Sequence, residues 1–190
     1  MVSRSLVLGY HGCDLAVAKK IVSGRIQQRP STNEHDWLGS GLYFWEDSHA
    51  RALRWAQGEA TKKDGKVRTP GVLGAIIDLG NCLNLIDAEH LGLVKAAHQA
   101  YLEFCRNSDL KPAQNLGKDL GSRKLDKAVF ETLHHLRKKK SEQSFDTVRA
   151  FFVEGEPLYE TAGLRSLDHV QICVRDRQKI IGYFLPWQAQ

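Results

Sequence analysis

The sequence GYHGCD, residues 9–14, and the sequence DWLGSGLYFWED, residues 36–47, decide how this chain is interpreted. GYHGCD closes one apolar, β-rich segment and DWLGSGLYFWED opens another, so both are predicted to lie at the edges of strands. At such edges a rigid sheet can present His11, Gly12 and Tyr43 to a ligand. Taken singly, each motif is more typical of packing, as a hydrogen-bonded histidine or a glycine at a bulge.

Hydrophobic periodicity over the rest of the chain predicts one α+β domain that occupies residues 1–190. Its sheet collects segments from both ends of the chain, and its middle is helical. Asp14 is predicted to cap the first helix, and Asp47 or Ser48 the second. The predicted strands are residues 5–10, 41–45, 72–79, 147–155, 169–175 and 180–185, and the predicted helices are residues 14–24, 47–63, 87–107 and 122–140.

The composition is typical of a soluble globular protein, with 42% apolar and 26% charged residues. No apolar run approaches the roughly twenty residues that span a bilayer, and the amino-terminal apolar segment is too short for a signal peptide. We therefore expect a cytoplasmic protein without a membrane partner. The cysteines lack zinc or paired spacing, so neither a metal site nor a disulfide framework is expected; they are Cys13, Cys82, Cys105 and Cys173.

The formal net charge is +5, and the isoelectric point is about 9.0. Much of the positive charge lies in residues 61–68, a predicted loop, and in residues 134–142, a predicted helix end. A basic surface attracts nucleic acid. Lysines at the carboxyl end of a helix are also favoured by the helix dipole, so the second cluster has an explanation that needs no partner.

Taken together and in this order, three segments resemble ADP-ribosyltransferases of the diphtheria-toxin and poly(ADP-ribose) polymerase type. They are YHG at residues 10–12, GSGLYFWEDSHARALRWA at residues 39–56 and HVQICVRD at residues 169–176. In that family the first strand ends in His-Gly, the next core strand carries G-x-Y-F before a helix, and a late strand supplies a polar residue, usually Glu. The resemblance spans almost the whole chain. It implies a split antiparallel sheet with flanking helices, and NAD as co-substrate without a metal.

The resemblance assigns a role to each residue of these motifs. His11 would bond a hydroxyl of the adenosine ribose, and the Gly12 backbone would pair with the nicotinamide carboxamide. Gly41 belongs to the G-x-Y segment, and Tyr43 would lie against the nicotinamide ring. Trp55 would add a second aromatic ring or would belong to the core. Because His11 and Tyr43 are expected at strand edges, replacing either one is expected to weaken NAD binding without unfolding the domain.

The late strand departs from the family pattern, because it places Gln171 where the family usually has Glu. That Glu bonds the nicotinamide ribose and stabilises the positive charge that develops on the sugar; a glutamine keeps the hydrogen bond and loses the charge. One such electrostatic group contributes roughly 3 to 4 kcal/mol. Glu154 and Glu156 are alternative catalytic carboxylates, or they are solvated loop residues. His11, Tyr43 and Gln171 are expected to converge on one cleft.

The implied function is transfer of ADP-ribose from NAD to a macromolecule, with nucleic acid favoured over protein by the basic charge. By analogy with known members, such a domain is a toxin of a toxin–antitoxin or phage-defence system, with an antitoxin protein as a partner. Two alternatives remain open. One is a catalytically degenerate module that binds NAD or ADP-ribose, and the other is an NAD glycohydrolase that uses water as the acceptor.

Overall fold

The computed structural model describes residues 5–34, 36–117 and 120–187. A short 3-10 turn, Arg177–Lys179, precedes the last strand. In chain order the strands and helices are β1 Leu6–Asp14, α1 Leu15–Val22, β2 Leu42–Glu46, α2 His49–Ala60, β3 Pro70–Asp78, β4 Cys82–Asn84, α3 Ala88–Asn107, β5 Asn115–Leu116, β6 Ser122–Arg123, α4 Lys124–Lys139, β7 Thr147–Phe152, β8 His169–Val174 and β9 Ile180–Phe184.

The main sheet has seven strands among the described residues, in the order β4-β7-β8-β2-β1-β3-β9. Its pairings are antiparallel, except that β4 runs parallel to β7. β5 and β6 form a separate two-stranded ribbon. The predicted α+β class is therefore confirmed, with strands from both ends of the chain in one sheet and the two longest helices, α3 and α4, between β4 and β7.

β1 is longer than the sequence predicts, because it continues through residues 11–14 to pair with β3. The pairing runs from Leu6 opposite Asp78 to Asp14 opposite Pro70. The expectation that His11 and Gly12 lie at the end of this strand is therefore wrong; both lie inside it. Their own strand propensity is weak, and the ladder to β3 imposes the extended backbone.

β1 pairs with β2 over a much shorter stretch than with β3. Only Gly9 opposite Glu46 and Tyr10 opposite Trp45 are paired among the described residues. Beyond Tyr10 the two strands diverge. This divergence divides the sheet into one half built on β1, β3 and β9 and another built on β2, β8, β7 and β4.

Two apolar layers cover the sheet, and the first of them joins its two halves. Phe44 and Ile172 of one half pack with Ala75 and Ile77 of the other in a buried cluster. On the opposite face of β7 and β8, Val148, Ala150 and Cys173 pack against the helices through Ala97 of α3 and Val129, Phe130 and Leu133 of α4. Both faces of the β2–β8 pair are therefore buried, and the strand pair is a rigid support for side chains near its ends.

The helix caps follow the sequence in part. Asp14 accepts a hydrogen bond from the backbone N–H of Ala16 at 2.9 Å, as a capping residue does. Ser48 occupies the capping position of α2, but its side chain makes no capping bond, and Asp47 has a positive φ of 49°. Within residues 5–34, 36–117 and 120–187, no helix has both the length and the apolar character needed to cross a membrane.

Candidate functional site

A pocket of about 420 Å³ opens where β1 and β2 diverge. Its volume is within the usual range for small-molecule sites. Most of the site residues predicted from the sequence line this pocket, but Gly41 and Glu156 do not. The lining residues are His11, Gly12, Ser31, Asn33, Asp36, Trp37, Tyr43, Trp45, Arg51, Trp55, Glu154, His169 and Gln171.

The strand register explains why Tyr43 and Gln171 meet. Tyr43 of β2 lies opposite Cys173 of β8, and Trp45 lies opposite Gln171. Residues two apart on a strand share a face, and so do directly opposed residues. Tyr43, Trp45 and Gln171 therefore share one face of the sheet, as the predicted cleft requires.

His11 bridges the gap between the two diverging strands. Its Nδ1 lies 2.9 Å from the carbonyl oxygen of Tyr43. Because a carbonyl only accepts, Nδ1 carries the proton, and Nε2 is an acceptor in the neutral ring. Burial lowers the pKa of His11, which keeps the ring neutral at physiological pH. The side chain can therefore accept a hydrogen bond from a ligand hydroxyl.

Gly12 presents backbone groups to the pocket. The carbonyl of Leu8 accepts a hydrogen bond from the N–H of Asp47 at 2.9 Å, so the backbone groups of Leu8 point towards β2. The backbone groups of the odd-numbered residues of β1 point the other way, towards β3. By strand alternation the N–H and carbonyl of Gly12 point towards β2 as well. Strand pairing on that side ends at Tyr10. The Gly12 amide is therefore placed to pair with a planar ligand amide.

A second constraint also requires glycine at position 12. A Cβ added there would overlap the carbonyl oxygen of Ala52 in α2 and would lie 3.0 Å from Cε3 of Trp55. The close approach at Gly12 is therefore between the strand and helix α2, whether or not a ligand is bound.

Tyr43 is tied into the structure through its hydroxyl. The hydroxyl donates to the carbonyl of Gly39 at 2.5 Å and accepts from the N–H of Leu38 at 2.9 Å. Burial raises the pKa of the hydroxyl, and the ring packs against the cluster beneath α4. The expectation that Tyr43 lies outside the core is therefore wrong. The ring, and not the hydroxyl, is the part available to a ligand.

Gly41 and Glu156 have other positions. Gly41 bonds Ser31 through both backbone groups, at 2.7 and 3.1 Å, and a Cβ there would lie 2.5 Å from Sγ of Cys173. Gly41 therefore lets the loop before β2 pack against β8. Glu156 is exposed in the loop between β7 and β8, where its carbonyl accepts from the N–H of Ser166 at 2.9 Å.

Glu154 lies in the pocket as one half of an ion pair. Its Oε2 is 2.7 Å from the guanidinium of Arg51, whose side chain is only 13% exposed. The guanidinium also lies 5.3 Å over the ring of Trp45. Asp168 accepts from the backbone N–H of Glu154 at 3.0 Å and so fixes this end of the loop. Of the two alternative carboxylates, the loop directs Glu154 into the pocket.

Several lining residues were not predicted from the sequence, although a simple signal was present for three of them. Trp45 follows Tyr43 by two on β2, and His169 precedes Gln171 by two on β8, so strand alternation places them on the same face. Arg51 precedes Trp55 by one helical turn. Ser31, Asn33, Asp36 and Trp37 come from an irregular loop, which carries no periodic signal.

Four buried polar atoms at this pocket have no hydrogen-bond partner among the described residues. They are Nε1 of Trp45, Nε of Arg51, Nε2 of His169 and Oδ2 of Asp36. The other oxygen of Asp36 accepts from Ser31 at 2.7 Å. Buried polar groups in folded proteins are nearly always paired, so these four residues retain unused hydrogen-bonding capacity in the lining of the pocket.

Comparison with protein-family models, with curated proteins and with solved structures finds no match for this chain. Among the described residues, no group of three His, Cys, Asp or Glu side chains is arranged to hold a metal ion.

Proposed function

We propose that this chain is an NAD-dependent mono-ADP-ribosyltransferase, with the split-sheet fold of that superfamily, and that NAD binds in the pocket between β1 and β2. The observation that carries the proposal is the divergence of these strands beyond Tyr10. It places the Gly12 backbone, the Tyr43 ring and the Gln171 amide in one cavity.

Each part of the nicotinamide riboside has a counterpart in the lining. The Gly12 N–H and carbonyl suit a planar carboxamide, which both donates and accepts. The rings of Tyr43 and Trp55 offer apolar faces for the nicotinamide ring. Gln171 offers an amide to a hydroxyl of the nicotinamide ribose. Beyond the nicotinamide riboside, the acceptor nitrogen of His11 suits a hydroxyl of the adenosine ribose.

The diphosphate of NAD also needs a cationic partner. Of the described residues that line the pocket, Arg51 is the one with a lysine or arginine side chain. Its Nε has no hydrogen-bond partner, and a guanidinium binds phosphate oxygens well. A diphosphate that engages Arg51 would compete with Glu154 for the same guanidinium, which leaves the negative charge of Glu154 less compensated beside the sugar.

Cleavage of NAD then relies on charge and orientation. The bond between C1′ of the ribose and the pyridine nitrogen breaks, and nicotinamide leaves with the electron pair as a neutral molecule. The sugar becomes positively charged. Glu154, one of the two lining carboxylates with Asp36, offsets that charge while Gln171 fixes the ribose. The basic surface, with a net charge of +5, favours a nucleic acid over a protein as acceptor.

A binding module without catalysis is the second candidate, and two observations favour it. Gln171 is neutral, and the charge of Glu154 is compensated by Arg51 at 2.7 Å. Such a protein would bind NAD or ADP-ribose and leave it intact.

Incubation of the protein with NAD separates these candidates. We expect release of nicotinamide, and transfer of label from adenine-labelled NAD to lysate material that nuclease digests and protease does not. Protease-sensitive label would indicate a protein acceptor. Binding of NAD by calorimetry without nicotinamide release in any lysate fraction would support the binding module, and absence of both would contradict the proposal.

A further inference from the structure

Nε2 of His169 is a buried ring nitrogen that takes no part in the proposed cleavage of NAD. Its Nδ1 lies 2.8 Å from the carbonyl oxygen of Leu167, so Nδ1 carries a proton and Nε2 has the lone pair. Nε2 is buried without a hydrogen-bond partner, and the side chain is only 2% exposed. The ring lines the pocket.

Aromatic side chains fix the position of this imidazole. Its ring centroid lies 5.6 Å from that of Phe152, 6.2 Å from that of Trp37 and 6.3 Å from that of Trp45. His169 also precedes Gln171 by two residues on β8, which places the two side chains on one face about 7 Å apart. A nucleophile that attacks the ribose held by Gln171 can therefore lie between the sugar and the imidazole.

In the proposed reaction, no residue has yet been assigned to accept the proton that the attacking group loses. Nicotinamide departs as a neutral molecule and needs no proton donor. When a hydroxyl or N–H group then attacks, a bond forms between its heavy atom and C1′, and its proton must be removed. A base within hydrogen-bond reach of the nucleophile removes it in many transferases.

We infer that His169 is the base that accepts this proton at Nε2, and that the pocket beside Trp37 and Trp45 receives the O–H or N–H group of the acceptor. The inference rests on the proposed function. The proton passes to Nε2 as the new bond to C1′ forms, and the resulting imidazolium keeps its Nδ1–H on Leu167.

The charges around His169 suit this role. Burial is the main cause that lowers its pKa, and Arg51 of α2 lowers it further, so the ring is neutral before the reaction and Nε2 keeps its lone pair. Glu154, in the loop after β7, has its Oε2 3.7 Å from Nδ1, and Asp168 is the neighbouring residue in the chain. These two carboxylates raise the pKa and stabilise the imidazolium once it has formed.

Azide distinguishes a base from a structural residue, because azide attacks C1′ without losing a proton. Wild type and His169→Gln are incubated with NAD in water, in water with sodium azide, and with total RNA. ADP-ribose, ADP-ribosyl azide and labelled RNA are measured. We expect His169→Gln to lose formation of ADP-ribose and of labelled RNA by about 10²-fold or more, while it keeps formation of the azide product within about twofold.

His134→Gln is the matched control. His134 also has a buried Nε2 without a hydrogen-bond partner, but it lies on α4 in a different cavity. We expect this variant to keep all three products. Equal loss of all products in His169→Gln, or no loss of any, would overturn the inference and leave the proposed function standing. If wild type releases no nicotinamide in any of the three mixtures, the proposed function itself fails.

Discussion

β1 has two different neighbours, and the contrast between them explains how one strand serves both stability and binding. With β3 it forms a continuous ladder from Leu6 to Asp14, whereas with β2 it pairs, in the part of the chain that the structure describes, at Gly9 and Tyr10. On the side of β2, the open side, a side-chain bond from His11 to the carbonyl of Tyr43 takes the place of the ladder. The closed side holds the strand in place, so the open side can leave backbone groups for a ligand.

The largest effect on stability is expected from Tyr43→Ala on the open side. This change removes a ring packed beneath α4 and leaves the N–H of Leu38 without its acceptor. The carbonyl of Gly39 keeps only the weak contact from Sγ of Cys173 at 3.7 Å. Loss of a buried aromatic ring costs about 3–5 kcal/mol of unfolding free energy. Urea denaturation measures it.

Tyr43→Phe is the control, because it keeps the ring and removes only the hydroxyl. We expect it to cost about 1–3 kcal/mol, the cost of leaving buried polar groups unpaired. An unchanged free energy of unfolding in Tyr43→Ala would show that the open side contributes nothing to stability.

The largest effect on activity is expected from Gln171→Ala. The Gln171 amide would bond a ribose hydroxyl as charge develops on the sugar, so kcat should fall about 10²–10³-fold with little change in the KM for NAD. Gln171→Glu should keep or raise kcat, since it returns a negative charge beside the sugar. Nicotinamide release over a range of NAD concentrations gives both constants.

Two further variants sharpen this prediction. Gln178→Ala changes an exposed glutamine on the 3-10 turn after β8 and should behave as wild type. Glu154→Gln tests whether the pocket carboxylate carries the charge. Full activity of Gln171→Ala with an inactive Glu154→Gln would assign catalysis to Glu154 alone.

Much of this fold follows from sequence pattern, and the missing parts depend on distant partners. β4 has three residues and exists because it pairs in parallel with β7, which follows it by more than sixty residues. β1 extends through His11 and Gly12 because β3 lies beside it. Neither fact is visible in local propensity.

The site divides in the same way. Alternation along β2 and β8, together with the register that sets Tyr43 opposite Cys173, brings Tyr43 and Gln171 to one face. The choice between Glu154 and Glu156 depends on how the loop after β7 is anchored by Asp168. Asp36 reaches the pocket from an irregular loop, where it bonds Ser31 and Asn33, and such a loop carries no periodic signal in the sequence.

A smaller loss of stability is expected from Gly12→Ala. The added Cβ would overlap the carbonyl of Ala52, so helix α2 must move away from β1. Such overpacking costs about 1–3 kcal/mol. Gly58→Ala, later in α2, is the control: nothing lies within 4 Å of a Cβ there, and the change should be neutral or stabilise the helix by up to about 1 kcal/mol. Equal stability of the two variants would contradict the packing account.

The smallest effect is expected from the pH dependence of His11→Gln. Burial lowers the pKa of His11 in the folded protein below its ordinary 6.5. As pH falls below about 6.5, the unfolded chain binds a proton at this position before the folded protein does, so the free energy of unfolding falls with decreasing pH. Each such histidine contributes at most about 1.4 kcal/mol per pH unit.

His11→Gln removes this contribution, so the free energy of unfolding of the variant should fall less than that of wild type between pH 7 and pH 5.5. His134, whose pKa burial lowers to about 4, keeps its own contribution, so the dependence becomes weaker and does not disappear. Urea denaturation at each pH measures the two dependences. If they are identical, His11 has the same pKa in the folded and unfolded states, and the bond from His11 to Tyr43 is not made by a ring kept neutral by burial.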